Sequence, residues 1–167
     1  MKSIISIDKI NELTKDDFID LFGNVFEKTN WIADKTYYLK PFKSFNELSS
    51  KMINIYENSS REDCLKIFRA HPELAIKKKL TADSQKEQYN ANLNLCDEKE
   101  FNEFQNLNNT YNKKFGFPFI IAVKGKDKNE ILTNFKNRIN NEINLEFDEA
   151  KKQVKKIANF RLKEIIN

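Results

Sequence analysis

Apolar side chains recur every three or four positions along almost the whole chain, the spacing of helices that bury one face and wet the other. Thr14 precedes Asp16 and Asp17 as an N-cap would, and Phe18, Leu21, Phe22, Val25 and Phe26 follow as one stripe. A short helix is read over 31–39, stopped by Pro41. Ser44 with Glu47 reads as a capping box opening a helix that buries Phe45, Leu48, Met52, Ile55 and Tyr56. Ser60 with Asp63 repeats the device ahead of Cys64, Leu65 and Phe68. That helix must stop near His71, because Pro72 disfavours helical geometry in the residue before it.

Further helices are expected over 81–95, with Ser84 near the start, and over 98–115 on Phe101, Phe104, Leu107, Tyr111 and Phe115. Gly116 closes the second of these as a C′ residue would. Two more are expected, over 127–141 on Ile131, Leu132, Phe135 and Ile139, and over 145–166 on Phe147, Val154, Ile157, Ala158, Leu162 and Ile165. One stretch breaks the rhythm. Residues 117–123, Phe-Pro-Phe-Ile-Ile-Ala-Val, are continuously apolar, carry a proline near the start and are followed by Gly125, so they read as extended and buried. The expected fold is therefore all-α: a single-domain multi-helix bundle over 1–167 with one short extended buried segment at about 117–123. No internal repeat or linker is evident, and the abundant asparagine is dispersed.

Composition then removes chemistries. A chain of 167 residues buries enough of its unfolded surface to fold without metal or disulfide staples. Three glycines, none in a G-x-G-x-x-G or Walker pattern, leave no backbone cradle of those types for dinucleotides or phosphates. One histidine and two cysteines, Cys64 and Cys96, form no zinc ligand set, so no metal site is expected. The cysteines fit a reducing compartment as small thiols. Neither a signal peptide nor a membrane span is read, and a soluble intracellular protein is expected. Net charge is only +4, and the runs Lys77-Lys78-Lys79, Lys151-Lys152 and Lys155-Lys156 sit among acidic residues. Solvated helix faces explain them better than a nucleic-acid patch.

Four features could carry chemistry. His71, in His71-Pro72-Glu73-Leu74, is the one side chain whose unperturbed pKa lies near neutrality, and it sits at a helix end stiffened by proline. It is either a proton handler or a satisfied structural histidine. Ser84, Glu87 and Gln88 share one face near a helix start, where they either converge on a polar ligand or form an S-x-x-E cap. The segment 117–123 has backbone N–H and C=O groups that no helix consumes; an amide-rich ligand, neighbouring backbone or water must satisfy them. Arg161 lies beside the apolar stripe of the last helix, suited to fork a carboxylate or oxyanion, or else to snorkel to a surface pair.

Together these residues resemble one family. His-Pro-Glu-Leu at 71–74, Leu80-Thr81-Ala82-Asp83-Ser84 with Glu87-Gln88, Leu107-Asn108 and Tyr111, Phe115-Gly116-Phe117-Pro118-Phe119-Ile120, Arg138, and Ile157 through Arg161-Leu162 are similar in order and spacing to 2-oxo-4-hydroxy-4-carboxy-5-ureidoimidazoline (OHCU) decarboxylases. Trp31 and Pro41-Phe42 add to the likeness. The resemblance covers nearly the whole chain, and three modest motifs in the right order make it specific.

The resemblance implies an all-helical, usually homodimeric enzyme that needs no cofactor and converts OHCU to (S)-allantoin with loss of carbon dioxide. It implies His71 as catalytic acid/base with Glu87 and Arg161 as catalytic partners. Pro72, then Ser84, Gln85, Lys86, Glu87 and Gln88, then Phe119, Ile120, Ile121, Ala122 and Val123 would contact the small-molecule substrate, the last group largely through backbone. No nucleic acid, membrane or metal enters that picture. Where the family commonly has Ala-Gly-Leu this chain has Ala91-Asn92-Leu93, and asparagine tolerates unusual backbone angles, so a local adjustment is expected. The end, Ile165-Ile166-Asn167, is unlike the tail of peroxisomal members, and a cytoplasmic location is expected. The competing class is a helical interaction or nucleic-acid-binding module that uses the lysine-rich faces and for which His71 is dispensable.

Overall fold

Caps decide where most of the helices begin. In this computed structural model, which describes residues 5–76 and 80–166, the hydroxyls of Thr14, Ser44 and Ser60 accept the amides of Asp17, Glu47 and Asp63 at 3.1–3.2 Å. They open α2 (Lys15–Phe22), α4 (Phe45–Glu57) and α5 (Arg61–Ala70). Ahead of these, Ser6 caps a short α1 (Ile7–Glu12) that the sequence pattern did not announce, because only Ile10 of it is buried. Between them lies α3 (Asn30–Tyr37). The chain continues through α6 (Ala82–Asn90), a 3-10 turn at Leu93–Leu95, α7 (Glu98–Phe115), α8 (Lys128–Arg138) and α9 (Ile143–Ile166). Among the described residues there is no strand, and the fold is all-α as expected. The Lys77-Lys78-Lys79 run lies outside the described residues.

Two compact units make up the chain, one from the described residues up to Ala70 together with those from Lys155 onward, the other His71–Val154. In the first, α2 packs on α3 and α3 on α4 around an aromatic core: the Phe18 ring lies 4.8 Å from Phe22 and Phe26 lies 4.8 Å from Tyr56. The stripe expected to run on through Phe26 is broken, since α2 stops at Phe22. A turn follows in which Asn24 Oδ1 accepts the Lys28 amide at 2.9 Å while Lys28 takes the left-handed conformation. Val25 and Phe26 are still buried, from turn rather than helix. Gly23 is required there by space: a Cβ would collide with Ile19 O and stand 2.7 Å from Asn30 Oδ1.

In the second unit the helix expected over 81–95 is divided. Thr81, not Ser84, is the N-cap of α6, its hydroxyl accepting the Ser84 amide at 3.3 Å. The S-x-x-E cap on Ser84 is therefore ruled out as the reading of that motif. α6 ends at Asn90, and Asn92 takes a left-handed φ of 61°, the local adjustment its substitution for glycine called for. α7 opens on a reciprocal Asp97–Glu100 capping box and ends at Gly116 with φ 77°. Beyond it, residues 117–123 run without regular secondary structure, and all of them are buried.

Candidate functional site

His71 follows the last residue of α5 directly and is only 8% exposed, at the head of a loop that α6 and α7 hold from two sides. From α6, Gln88 Oε1 accepts the Ala75 amide at 3.1 Å and its Nε2 donates to Glu73 O at 3.2 Å. From α7, Asn108 Nδ2 donates to Leu74 O at 3.0 Å and Gln105 Nε2 to Ala75 O at 3.4 Å. Ala75 sits in the left-handed region, φ 55°, a conformation that costs a residue with a Cβ and persists only under such bracing. The loop bearing His71 is thus fixed by carboxamides rather than by apolar packing alone.

α6 sorts its five candidate residues by side. Ser84 and Gln88 are buried, Glu87 is half-buried, and Gln85 and Lys86 lie on the exposed face. Gln88 spends its carboxamide on the loop backbone, whereas Ser84 and Glu87 share the inward face with it.

The segment 119–123 is held mainly by side chains, a solution the sequence reading did not include. Arg138, at the end of α8, donates from Nη1 to Ile120 O at 2.6 Å and stands over the Phe119 ring at 4.4 Å. Its Nε and Nη2 both reach Glu146 Oε1, at 2.8 and 2.5 Å. Tyr111 donates its hydroxyl to the same oxygen, and Asn141 Nδ2 donates to Glu146 Oε2 at 3.0 Å. Burial, and then the bond to Glu146, push the Tyr111 hydroxyl's pKa well up, so it remains a donor at neutral pH. Gln153 Oε1 accepts the Ala122 amide at 3.0 Å, and Lys126 Nζ donates to Ala122 O at 3.0 Å. Phe119 stacks on Phe135 with centroids 3.9 Å apart.

α7 ties the two halves of this arrangement together. Asn108 binds the His71 loop, and Tyr111, three residues on and on the same side, lies 5.4 Å from the Phe119 ring. Neither is among the site residues expected from the sequence. A signal was present, however: the expected stripe used Leu107 and Ile139, while the structure buries Asn108 and Arg138 and leaves Leu107 and Ile139 half-buried. Polar side chains beside stripe positions marked the site.

Arg161 belongs to the first unit. It is 4% exposed, donating from Nη1 to Asn24 O and from Nη2 to Glu27 Oε2, both at 2.8 Å; Glu27 is fully buried. This arginine does not snorkel to the surface: the guanidinium divides these donors between a backbone carbonyl and a buried carboxylate that the chain itself supplies. Among the described residues no group of three or more His, Cys, Asp or Glu is placed to hold a metal ion, and no helix is long and apolar enough to cross a membrane.

The OHCU decarboxylase family model matches residues 11–163. The chain belongs to the OHCU decarboxylase family. It is 36% identical over 160 residues to the 2-oxo-4-hydroxy-4-carboxy-5-ureidoimidazoline decarboxylase of Haloferax volcanii, covering 96% of this chain and 95% of that protein. It is 41% identical over 162 residues to the uric acid degradation bifunctional protein of Bacillus sp. (strain TB-90), covering 97% of this chain. The chain spans about a third of the length of that bifunctional protein and of its Bacillus subtilis counterpart, 32% and 33% respectively. Among solved structures, a crystal structure of OHCU decarboxylase in the presence of (S)-allantoin superposes with TM-score 0.72 at 25% identity, covering 90% of this chain and 97% of that one. The family match runs through both compact units.

Proposed function

We propose that the chain acts as one decarboxylase domain that removes carbon dioxide from OHCU to give (S)-allantoin in urate degradation. The observation that carries this reading is the family membership over residues 11–163 together with a buried His71 on a loop braced from two helices.

The chemistry needs little apparatus. Breaking the bond to the carboxylate leaves its electron pair on the ring carbon, where the conjugated imidazoline delocalises it. His71 then delivers a proton to one face of the adjacent, ureido-bearing carbon, which sets the S configuration, while the carbon that lost the carboxylate gives up its hydroxyl proton and becomes a ring carbonyl. Positioned acid catalysis of this kind contributes about 10²- to 10⁴-fold. Glu87, half-buried on the inward side of α6, orients the imidazole or accepts from substrate N–H groups, and Ser84 on the same side is a substrate contact. Arg161 holds the departing carboxylate or an oxyanion. Its assignment rests on the resemblance at Ile157 to Leu162 and on a guanidinium already fixed by Glu27. Pro72, Gln85, Lys86, Gln88 and the segment 119–123 complete the substrate contacts, the segment chiefly through backbone groups. No cofactor takes part. The protein works as a cytoplasmic homodimer, a state that light scattering of the purified chain would measure directly.

Circular dichroism at the allantoin band during freshly coupled urate oxidation tests the reaction. Added protein should accelerate appearance of the S enantiomer above the spontaneous background, and an unchanged rate would sink the reading. Salt-dependent capture of nucleic acid by a protein indifferent to His71→Ala would favour the binding-module alternative instead.

A further inference from the structure

The segment 119–123 carries two peptide units whose far ends are committed and whose near ends are not. The peptide joining Ile120 to Ile121 has its carbonyl bound by Arg138 Nη1 at 2.6 Å. The peptide joining Ile121 to Ala122 has its amide bound by Gln153 Oε1 at 3.0 Å. What remains of these two units is the N–H and the C=O of Ile121. Among the described residues neither has a hydrogen-bond partner, although Ile121 is only 5% exposed.

A hydrogen bond at one end of a peptide group polarises the other end. A cation on the carbonyl strengthens the amide as a donor, and an acceptor on the amide strengthens the carbonyl as an acceptor. Arg138 thus acts on the Ile121 N–H, and Gln153 on the Ile121 C=O. The guanidinium is a strong polariser here because it is buried and charged, with Glu146 and Tyr111 fixing its position and Phe119 beneath its plane.

We infer that Arg138 and Gln153 are positioning residues that prime the Ile121 backbone as a paired donor and acceptor for an amide or ureido edge of the ligand. This rests on the decarboxylase reading for the identity of that ligand, but the priming is a property of the chain itself. A substrate bearing both N–H and C=O groups exchanges two hydrogen bonds with one residue, as paired residues of an antiparallel ladder do.

The test replaces the ion pair by neutral amides, Arg138→Gln with Glu146→Gln, so that no carboxylate is left buried alone. In the ¹⁵N-labelled full chain the Ile121 amide proton should move upfield, and KM for OHCU should rise about tenfold while kcat stays within about threefold. An unmoved Ile121 resonance, or a fall in kcat with KM unchanged, overturns the inference. Should the double variant fail to fold, Gln153→Met decides: raised KM supports priming, and unchanged KM overturns it. If the wild-type protein does not speed formation of (S)-allantoin, the decarboxylase reading fails on that result, and the Ile121 resonance in the variant alone judges the priming.

Discussion

Each of the two compact units buries an arginine against a glutamate, and the two pairs are built differently. In the first unit Arg161 meets Glu27 across 134 positions of sequence, and among the described residues the buried polar side chains beside them include two threonines, Thr29 and Thr36, which donate to the nearby carbonyls of Glu27 and Ile32. In the second unit Arg138 meets Glu146 only eight positions away, and the pair is one part of a wider polar interior that includes His71, Ser84, Gln88, Asn108 and Gln153. The first core is mainly aromatic and aliphatic with one charged insertion. The second repeatedly spends side-chain hydrogen bonds on irregular backbone, at 73–75 and at 120–122. Burying polar groups is costly unless each is satisfied, so a concentration of them around loops marks where geometry matters more than stability.

The most severe test of that contrast is His71→Ala. Turnover should fall by about 10²- to 10⁴-fold while the melting temperature holds, because the loop is kept by Gln88, Gln105 and Asn108 rather than by the imidazole. Full residual activity would remove the second unit's claim to the chemistry.

Next come the two carboxylates. Breaking a buried pair by removing one partner costs about 3–5 kcal/mol, so Glu27→Leu and Glu146→Leu should both lower the urea midpoint strongly. Glu146→Leu should lower it further, since it strips acceptors from Arg138, Tyr111 and Asn141 together. The reverse order would break the comparison. A smaller effect is expected at Gly23, where Ala should cost about 1–3 kcal/mol through overpacking against Ile19 O and the Asn30 side chain. The urea midpoint reads that loss directly.

The smallest effect concerns pH. The backbone bond from the Glu100 amide holds the Asp97 carboxyl below its ordinary value. A lowered folded-state pKa contributes stability above the unfolded value that is lost as pH falls through the folded one. The unfolding midpoints of wild type and Asp97→Asn should therefore differ at neutral pH and converge as pH drops below about 4. A gap that persists at pH 2 would mean that charge is not what this cap supplies.

Much of this was legible in the chain. Capping residues and 3.6-residue spacing located most of the helices, and the apolar run after Gly116 located the non-helical segment, because both signals are local. Division of the 81–95 helix was not legible, since the choice between Thr81 and Ser84 as cap depends on which hydroxyl faces inward. Nor were Leu107 and Ile139 recognisably the half-buried members of their stripes. Hydrophobic spacing counts only apolar residues, and it is blind to an asparagine or arginine that tertiary partners make worth burying.

By itself the sequence determined the helical class, the extended segment and the motifs that identify the family, since these depend on residue type and short-range order. Only the tertiary structure decided what satisfies the buried polar groups: Gln88 and Asn108 on the His71 loop, Arg138 and Gln153 around Ile121, Glu27 on Arg161. Hydrogen bonds are directional and short, so their partners exist only once distant parts of the chain have been brought within about 3 Å of one another.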